Sequence, residues 1–115
     1  PFISKDHCGA QNPAAIVPPD PALTAELLTR GRGHVKTMTI APEIAPAIEV
    51  AEILIDGGAL PSWGHTSADA LATRHALDTT RPALEARGRR ATVTHLFNGM
   101  PTIHHRNPGP ALEFL

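Results

Sequence analysis

Two histidines define the chemistry open to this sequence. His65 follows the short apolar stretch "LPSW", and His95 ends "ATVT", 30 residues further on. That interval is about one βα unit of a (β/α)8 barrel, whose eight units total roughly 250 residues. Side chains at the carboxyl ends of adjacent parallel strands point into one shared site, and neutral imidazole is a good ligand for zinc and similar ions. The spacing therefore raises a shared metal, set against two polar strand-end residues bonded to backbone. Gly64 permits close backbone approach. Thr66 is expected to cap the next helix, which would turn backbone N–H groups and a positive helix end towards the site. Beyond His95, Asn98 offers a donor and an acceptor and Gly99 an unobstructed backbone. His104, His105 and Arg106 could bind an anion, the planar fork of arginine suiting phosphate. A solvated turn ahead of "NPGP" is the competing reading of those three. His7 and Cys8 in an early loop, His34, and His75 on a helix surface have weaker claims.

The elements that must position these residues are legible as alternating periods. "DPALTAELLTRG" predicts a helix: Asp20 caps it, Pro21 takes the first position, Leu23, Leu27 and Leu28 share a face, and Gly31 ends it. "HVKTMTIAPE" predicts a strand, with Val35, Met38 and Ile40 apolar among β-branched threonines. A helix follows from about Pro46, carried by Ile48, Ala51, Glu52 and Ile55 and stopped at Gly57–Gly58. "ALPSWGH" predicts a short strand. The next helix is expected to run to about Asp78, with Thr66 and Asp69 at capping-box spacing and Pro82 as a break. "RRATVTHLF" predicts another strand, and "PFIS" the last turn of an earlier one. Strands alternating with helices imply α/β architecture with βαβ units on a parallel sheet. A doubly wound sheet and a piece of a (β/α)8 barrel both fit the alternation. The dinucleotide glycine fingerprint is absent, because "GRG" at Gly31 follows a helix rather than a strand.

Composition narrows the partners. The chain is 42% hydrophobic and 18% charged with a net charge of −1, so nothing global points to nucleic acid or an anionic membrane. "RGRR" is too short to form a basic patch. No apolar run approaches the roughly 20 residues of a membrane helix. A single cysteine, Cys8, excludes an internal disulfide and suits a reducing, cytoplasmic setting. The first residue is Pro1 rather than methionine, which leads to the expectation of an internal fragment.

Four stretches in order carry a resemblance. "THLFNGMPTIHHRNPGP" resembles the T-H-L-F/Y-N-A-M-P segment, with an arginine ahead of P-G, of the N-acetylglucosamine-6-phosphate deacetylases. "GHTSADA" resembles their G-H-S/T-x-A element, "TIAPE" their T-L/I-A-P-E strand, and "PFISKDHCGAQNP" their P-F-x-S…G-A-H-N-P element. The resemblance implies part of a (β/α)8 TIM barrel of the metal-dependent amidohydrolase type, with residues 1–115 a fragment of the catalytic domain. It implies hydrolysis of the acetamide of N-acetylglucosamine 6-phosphate to glucosamine 6-phosphate and acetate.

By the same resemblance His65 and His95 are metal ligands for a divalent ion, zinc foremost, with iron, manganese or cobalt as alternatives. Ala10, Gln11, Asn98 and Gly99 contact the sugar, and Arg106 binds the phosphate across a homodimer interface. Gly99 stands where the family often has alanine, and Gln11 where many members have histidine. No residue of the chain matches the family's glutamate ligand or catalytic aspartate. Glu43 ends a strand and could reach the site, but the family does not use it as a ligand. The chain alone is therefore expected to be inactive and, with open sheet edges, poorly stable. The alternatives are another amidohydrolase, such as one acting on N-acetylgalactosamine 6-phosphate, and a non-enzymatic metal- or sugar-phosphate-binding module.

Overall fold

Polar and apolar side chains alternate along the strands of this chain, and the alternation decides which way each face of the sheet looks. The computed structural model describes residues 1–115. Strands β1 (Thr37–Ile40), β2 (Leu60–Trp63) and β3 (Thr92–Val93) form one parallel sheet in that order. Thr39 pairs with Ser62 and Ile40 with Trp63, while Trp63 pairs with Val93. Phe2 adds a parallel bridge to Ile40, which sets "PFIS" alongside β1, where its sequence predicts a strand position. Pro61 lies inside β2, but the ladder to β3 begins only at Ser62, so its missing N–H costs little pairing.

Ile40 and Trp63 face a helix layer and are fully buried. Helix α2 (Ala47–Asp56) covers them with Ala47, Val50, Ala51 and Leu54. Burying each of the larger aliphatics contributes about 1.5–3 kcal/mol relative to exposure. The buried stripe matches the expected one only in part: Ala51 and Ile55 are buried, but Glu52 is exposed and Ile48 half-buried. The apolar arc of this helix is wide enough for two stripes, and the sheet selects the one centred on Val50 and Leu54.

Helix α1 (Pro21–Gly31) has the predicted ends, Asp20 accepting from Leu23 N–H at 2.9 Å. Of its three leucines only Leu28 packs on the core; Leu23 and Leu27 are open to a cavity beside the sheet, and Thr24 is the buried residue of the helix. Helix α3 (Ala70–Glu85) does not break at Pro82. Thr73, Ala76, Thr80 and Leu84 continue one buried stripe past the proline, whereas Pro82 and Asp78 both lie on the exposed side. The carbonyl freed by the proline ring can thus be hydrated, and packing outweighs the lost bond.

The cap of α3 is Asp69, accepting from Ala72 N–H at 2.8 Å, and not Thr66, whose hydroxyl closes a local turn by accepting from Ala68 N–H. Asp69→Ala should lower the chain's stability by about 1 kcal/mol, measured as a fall in the urea midpoint; an unchanged midpoint would show the cap to be idle. A short helix α4 (Ala111–Phe114) closes the chain and is tied to α3 by a two-pronged Arg74–Glu113 pair. The hydrogen bond from the Arg74 guanidinium, helped by its charge, holds the Glu113 carboxyl below the usual range.

Candidate metal centre

The face of the sheet opposite the helices is polar. Thr39, Ser62 and Thr94 each bring a hydroxyl to it, and Thr94 bonds both others, Ser62 at 2.6 Å and Thr39 at 3.0 Å. This layer ties three strands together directly beneath their carboxyl ends. The sequence signal for it is the period-two placement of Thr in "TMTI" and "TVT", with Ser62 on the strand between them.

Above the layer stand the two histidines. β3 is shorter than "RRATVTHLF" predicts: its ladder ends where Thr94 N–H donates to the Trp63 carbonyl at 2.8 Å. The chain then turns out of the sheet through His95 at φ +57° and Phe97 at +69°, and the chain leaving β2 likewise turns at His65 with φ +48°. Left-handed backbone at a non-glycine residue costs of order 1–3 kcal/mol and persists where the surroundings over-determine it. Both strained histidines lie at the same place, with ring centroids 5.0 Å apart and edge-to-face.

His65 Nδ1 lies 2.7 Å from the His7 carbonyl. A carbonyl only accepts, so Nδ1 carries the proton and Nε2 of the neutral ring keeps its lone pair. The backbones of two loops press on this ring: a Cβ at Gly9 or at Gly99 would lie 3.5 Å from it. That separation is ordinary contact, so there is room for the alanine of the family pattern at 99; the φ of +65° is what favours glycine. Thr66 N–H donates to the Gly99 carbonyl at 3.0 Å and joins the loop after β2 to the loop after β3.

The remaining sequence-picked residues divide. Gln11 lines a cavity of about 440 Å³ together with His65, Phe2 and Met38. Ala10, next to Gly9, is exposed, and so is Asn98, whose N–H closes a tight turn onto the His95 carbonyl at 2.6 Å. Arg106 is exposed and in no salt bridge. It sits in a turn in which His104 and Asn107 exchange backbone bonds, so His104 shapes the turn. His75 is on the exposed face of α3, as expected.

The donor set suits an ion in part. With metal–nitrogen bonds of about 2.1 Å, two imidazoles on one tetrahedral ion have centroids roughly 5 Å apart, as here. Yet no group of three or more His, Cys, Asp or Glu converges on one point. Glu43, the nearby acid, has both oxygens engaged, by the Thr66 hydroxyl and Ser67 N–H.

Parallel strands β1 to β3 with helices on one side, and two imidazoles at the carboxyl ends of neighbouring strands, are the arrangement expected of part of a (β/α)8 barrel. No family model matches the chain. Curated relatives do: N-acetylglucosamine-6-phosphate deacetylase of Bacillus subtilis is 34% identical over 109 residues, and that of Homo sapiens 37% over 112. In each case 95% of this chain is covered and 25% of the relative. Among solved structures, N-acetyl-D-glucosamine-6-phosphate deacetylase from Mycobacterium smegmatis superposes with a TM-score of 0.86 at 37% identity, covering 97% of this chain and 27% of that one. The same match is found with a mutant of that enzyme in complex with N-acetyl-D-glucosamine-6-phosphate. The Thermotoga maritima enzyme gives a TM-score of 0.69 at 27% identity over 96% of this chain and 27% of that one. By sequence and fold the chain matches one stretch of the N-acetylglucosamine-6-phosphate deacetylases, and it spans about a quarter of the length of the relatives it matches.

Proposed function

We propose that this chain is the part of a metal-dependent N-acetylglucosamine-6-phosphate deacetylase that supplies two metal-binding imidazoles and a share of the substrate loops. The observation that carries the reading is His65: its Nδ1 is committed to the His7 carbonyl, its Nε2 is free, and it lies 5.0 Å from His95 at the next strand end. A divalent ion held there would supply the Lewis acidity that polarises the acetamide carbonyl and acidifies water. Imidazole suits zinc, which is the first candidate, with iron, manganese and cobalt as alternatives.

The other assignments follow from position and chemistry. The Gly9–Ala10–Gln11 loop and the Asn98–Gly99 backbone meet at the His65 ring and are suited to orient the sugar. The exposed guanidinium of Arg106 offers a fork to the 6-phosphate, in a homodimer that of the partner subunit. Because Glu43 is engaged with backbone and hydroxyl, the chain brings no free carboxylate to move a proton to the leaving amine. Residues 1–115 are accordingly one fragment of a single catalytic domain, inactive by themselves. A cytoplasmic setting accords with the free Cys8; no helix is long and apolar enough to cross a membrane.

The test is to place these 115 residues in the frame of the Bacillus subtilis relative, in exchange for the matching segment, and to follow acetate release from N-acetylglucosamine 6-phosphate. The chimera should turn over with added divalent metal, while the 115-residue chain alone releases none. Arg106→Ala in the chimera should raise KM for the phosphorylated sugar by about 10-fold or more, as expected for a lost charge-assisted pair of about 1.5–3 kcal/mol. It should leave KM for N-acetylglucosamine unchanged. A folded chimera without activity would refute the assignment.

A further inference from the structure

Glu43 follows β1, yet its carboxylate reaches the turn after β2 rather than an imidazole. Oε2 accepts from the Thr66 hydroxyl at 2.5 Å and Oε1 from Ser67 N–H at 2.7 Å. The Ser67 hydroxyl bonds that of Ser4 at 2.6 Å, and Ser4 N–H donates to the His65 carbonyl at 2.8 Å. Thr66 N–H is held by Gly99. Three neighbouring strand ends thus grip residues 65–67. Only Glu43 binds two of these residues with one group. The grip falls on the residue pair after His65, whose φ of +48° needs an external restraint.

We infer that Glu43 is a positioning residue of this site. By holding Thr66 and Ser67 together it keeps His65 in the left-handed conformation that gives Nδ1 to the His7 carbonyl and leaves Nε2 for an ion. The purpose of that arrangement rests on the metal-site reading above, but the coupling of Glu43 to the His65 ring exists without metal. With alanine at 43, the Thr66 hydroxyl and Ser67 N–H lose their acceptors. The turn then relaxes and the His65 proton divides between the two nitrogens. Glutamine keeps one accepting oxygen but turns an NH2 towards the other donor, so it restores the geometry only in part.

Long-range 1H–15N spectra of the metal-free 115-residue chain, at a pH where imidazole is neutral, report the His65 tautomer. A zinc titration of the chimeric barrel against a competing chelator reports affinity. The native chain should show the Nδ1–H form. Glu43→Ala should show a tautomer mixture and zinc affinity weaker by about 10–100-fold, the usual effect of an outer partner. Glu43→Gln should fall between. Circular dichroism checks the fold; should Glu43→Ala unfold, Thr66→Val removes one donor, leaves the carboxylate, and must show the same mixing to a smaller degree. Native tautomer and affinity in a folded Glu43→Ala or Thr66→Val chain overturn the inference. A tautomer that depends on Glu43, together with a folded chimeric barrel that takes up no zinc, upholds the positioning and sinks the metal reading alone.

Discussion

His65→Ala, made in the chimeric barrel, is expected to weaken metal binding by more than about 100-fold, beyond what loss of an outer partner costs, and to lower acetate release by at least as much. The reason is geometric. His65 is where three segments converge: His7 accepts from its ring, Gly9 and Gly99 lie against it, and His95 stands at its edge. Alanine removes a ligand and also the body against which the two glycine loops pack. Equilibrium dialysis with zinc measures the first effect and acetate release the second. His65→Gln offers a useful contrast: its amide can still donate to the His7 carbonyl and fill the space, but supplies a poor metal ligand. It should keep the fold and lose the ion. Tight metal binding by a folded His65→Ala barrel would remove His65 from the site.

Gly64→Ala is expected to be the most damaging single methyl in the chain. A Cβ at 64 would overlap the Thr94 carbonyl oxygen and lie 3.0 Å from the Thr94 Cβ. Two of the three atoms it meets are backbone, which cannot rotate away. β2 and β3 would have to separate, and the Thr94 N–H bond to Trp63 lies beside the point of strain. The hydroxyl layer centred on Thr94 would open with it. The expected loss is at or above the upper end of the roughly 1–3 kcal/mol that overpacking costs. In urea unfolding of the 115-residue chain this appears as a large drop in midpoint or as loss of the cooperative transition. Gly58→Ala is a suitable comparison, because no atom lies within 4 Å of a Cβ there and the strain is that of a positive φ alone. Equal effects at both positions would show that close strand approach is not what Gly64 provides.

The two substitutions mark the division between what was legible in the chain and what was not. The alternation of strands and helices could be read directly, because caps and stops are local: Asp20 with Pro21 begins α1 and Gly57–Gly58 ends α2 without reference to the rest of the fold. The pairing of His65 with His95 was equally accessible, since a βα unit of fixed length delivers equivalent positions to neighbouring strand ends. The family motifs pointed to the same residues.

Packing choices were not accessible in this way. Pro82 breaks a helix in isolation, but here its exposed side lets α3 continue along the Thr73–Leu84 stripe. On α2, Ala51 and Ile55 are buried as expected, but Val50 and Leu54 take the places expected of Ile48 and Glu52, because only the sheet decides where on a broad apolar arc the buried side is centred. Thr66 has cap chemistry, yet Asp69 lies one residue before the turn that actually becomes helical, while the Thr66 hydroxyl serves Glu43 instead.

By itself, then, the sequence determined the order of elements, the parallel sheet and which histidines meet, since each follows from period, chain direction and spacing along one strand–helix unit. Tertiary structure alone decided the left-handed backbone at His65, the tautomer of His65 and the role of Glu43. Each of these depends on bonds between residues 23 to 63 positions apart, and contacts of that kind exist only once the strand ends have been brought side by side.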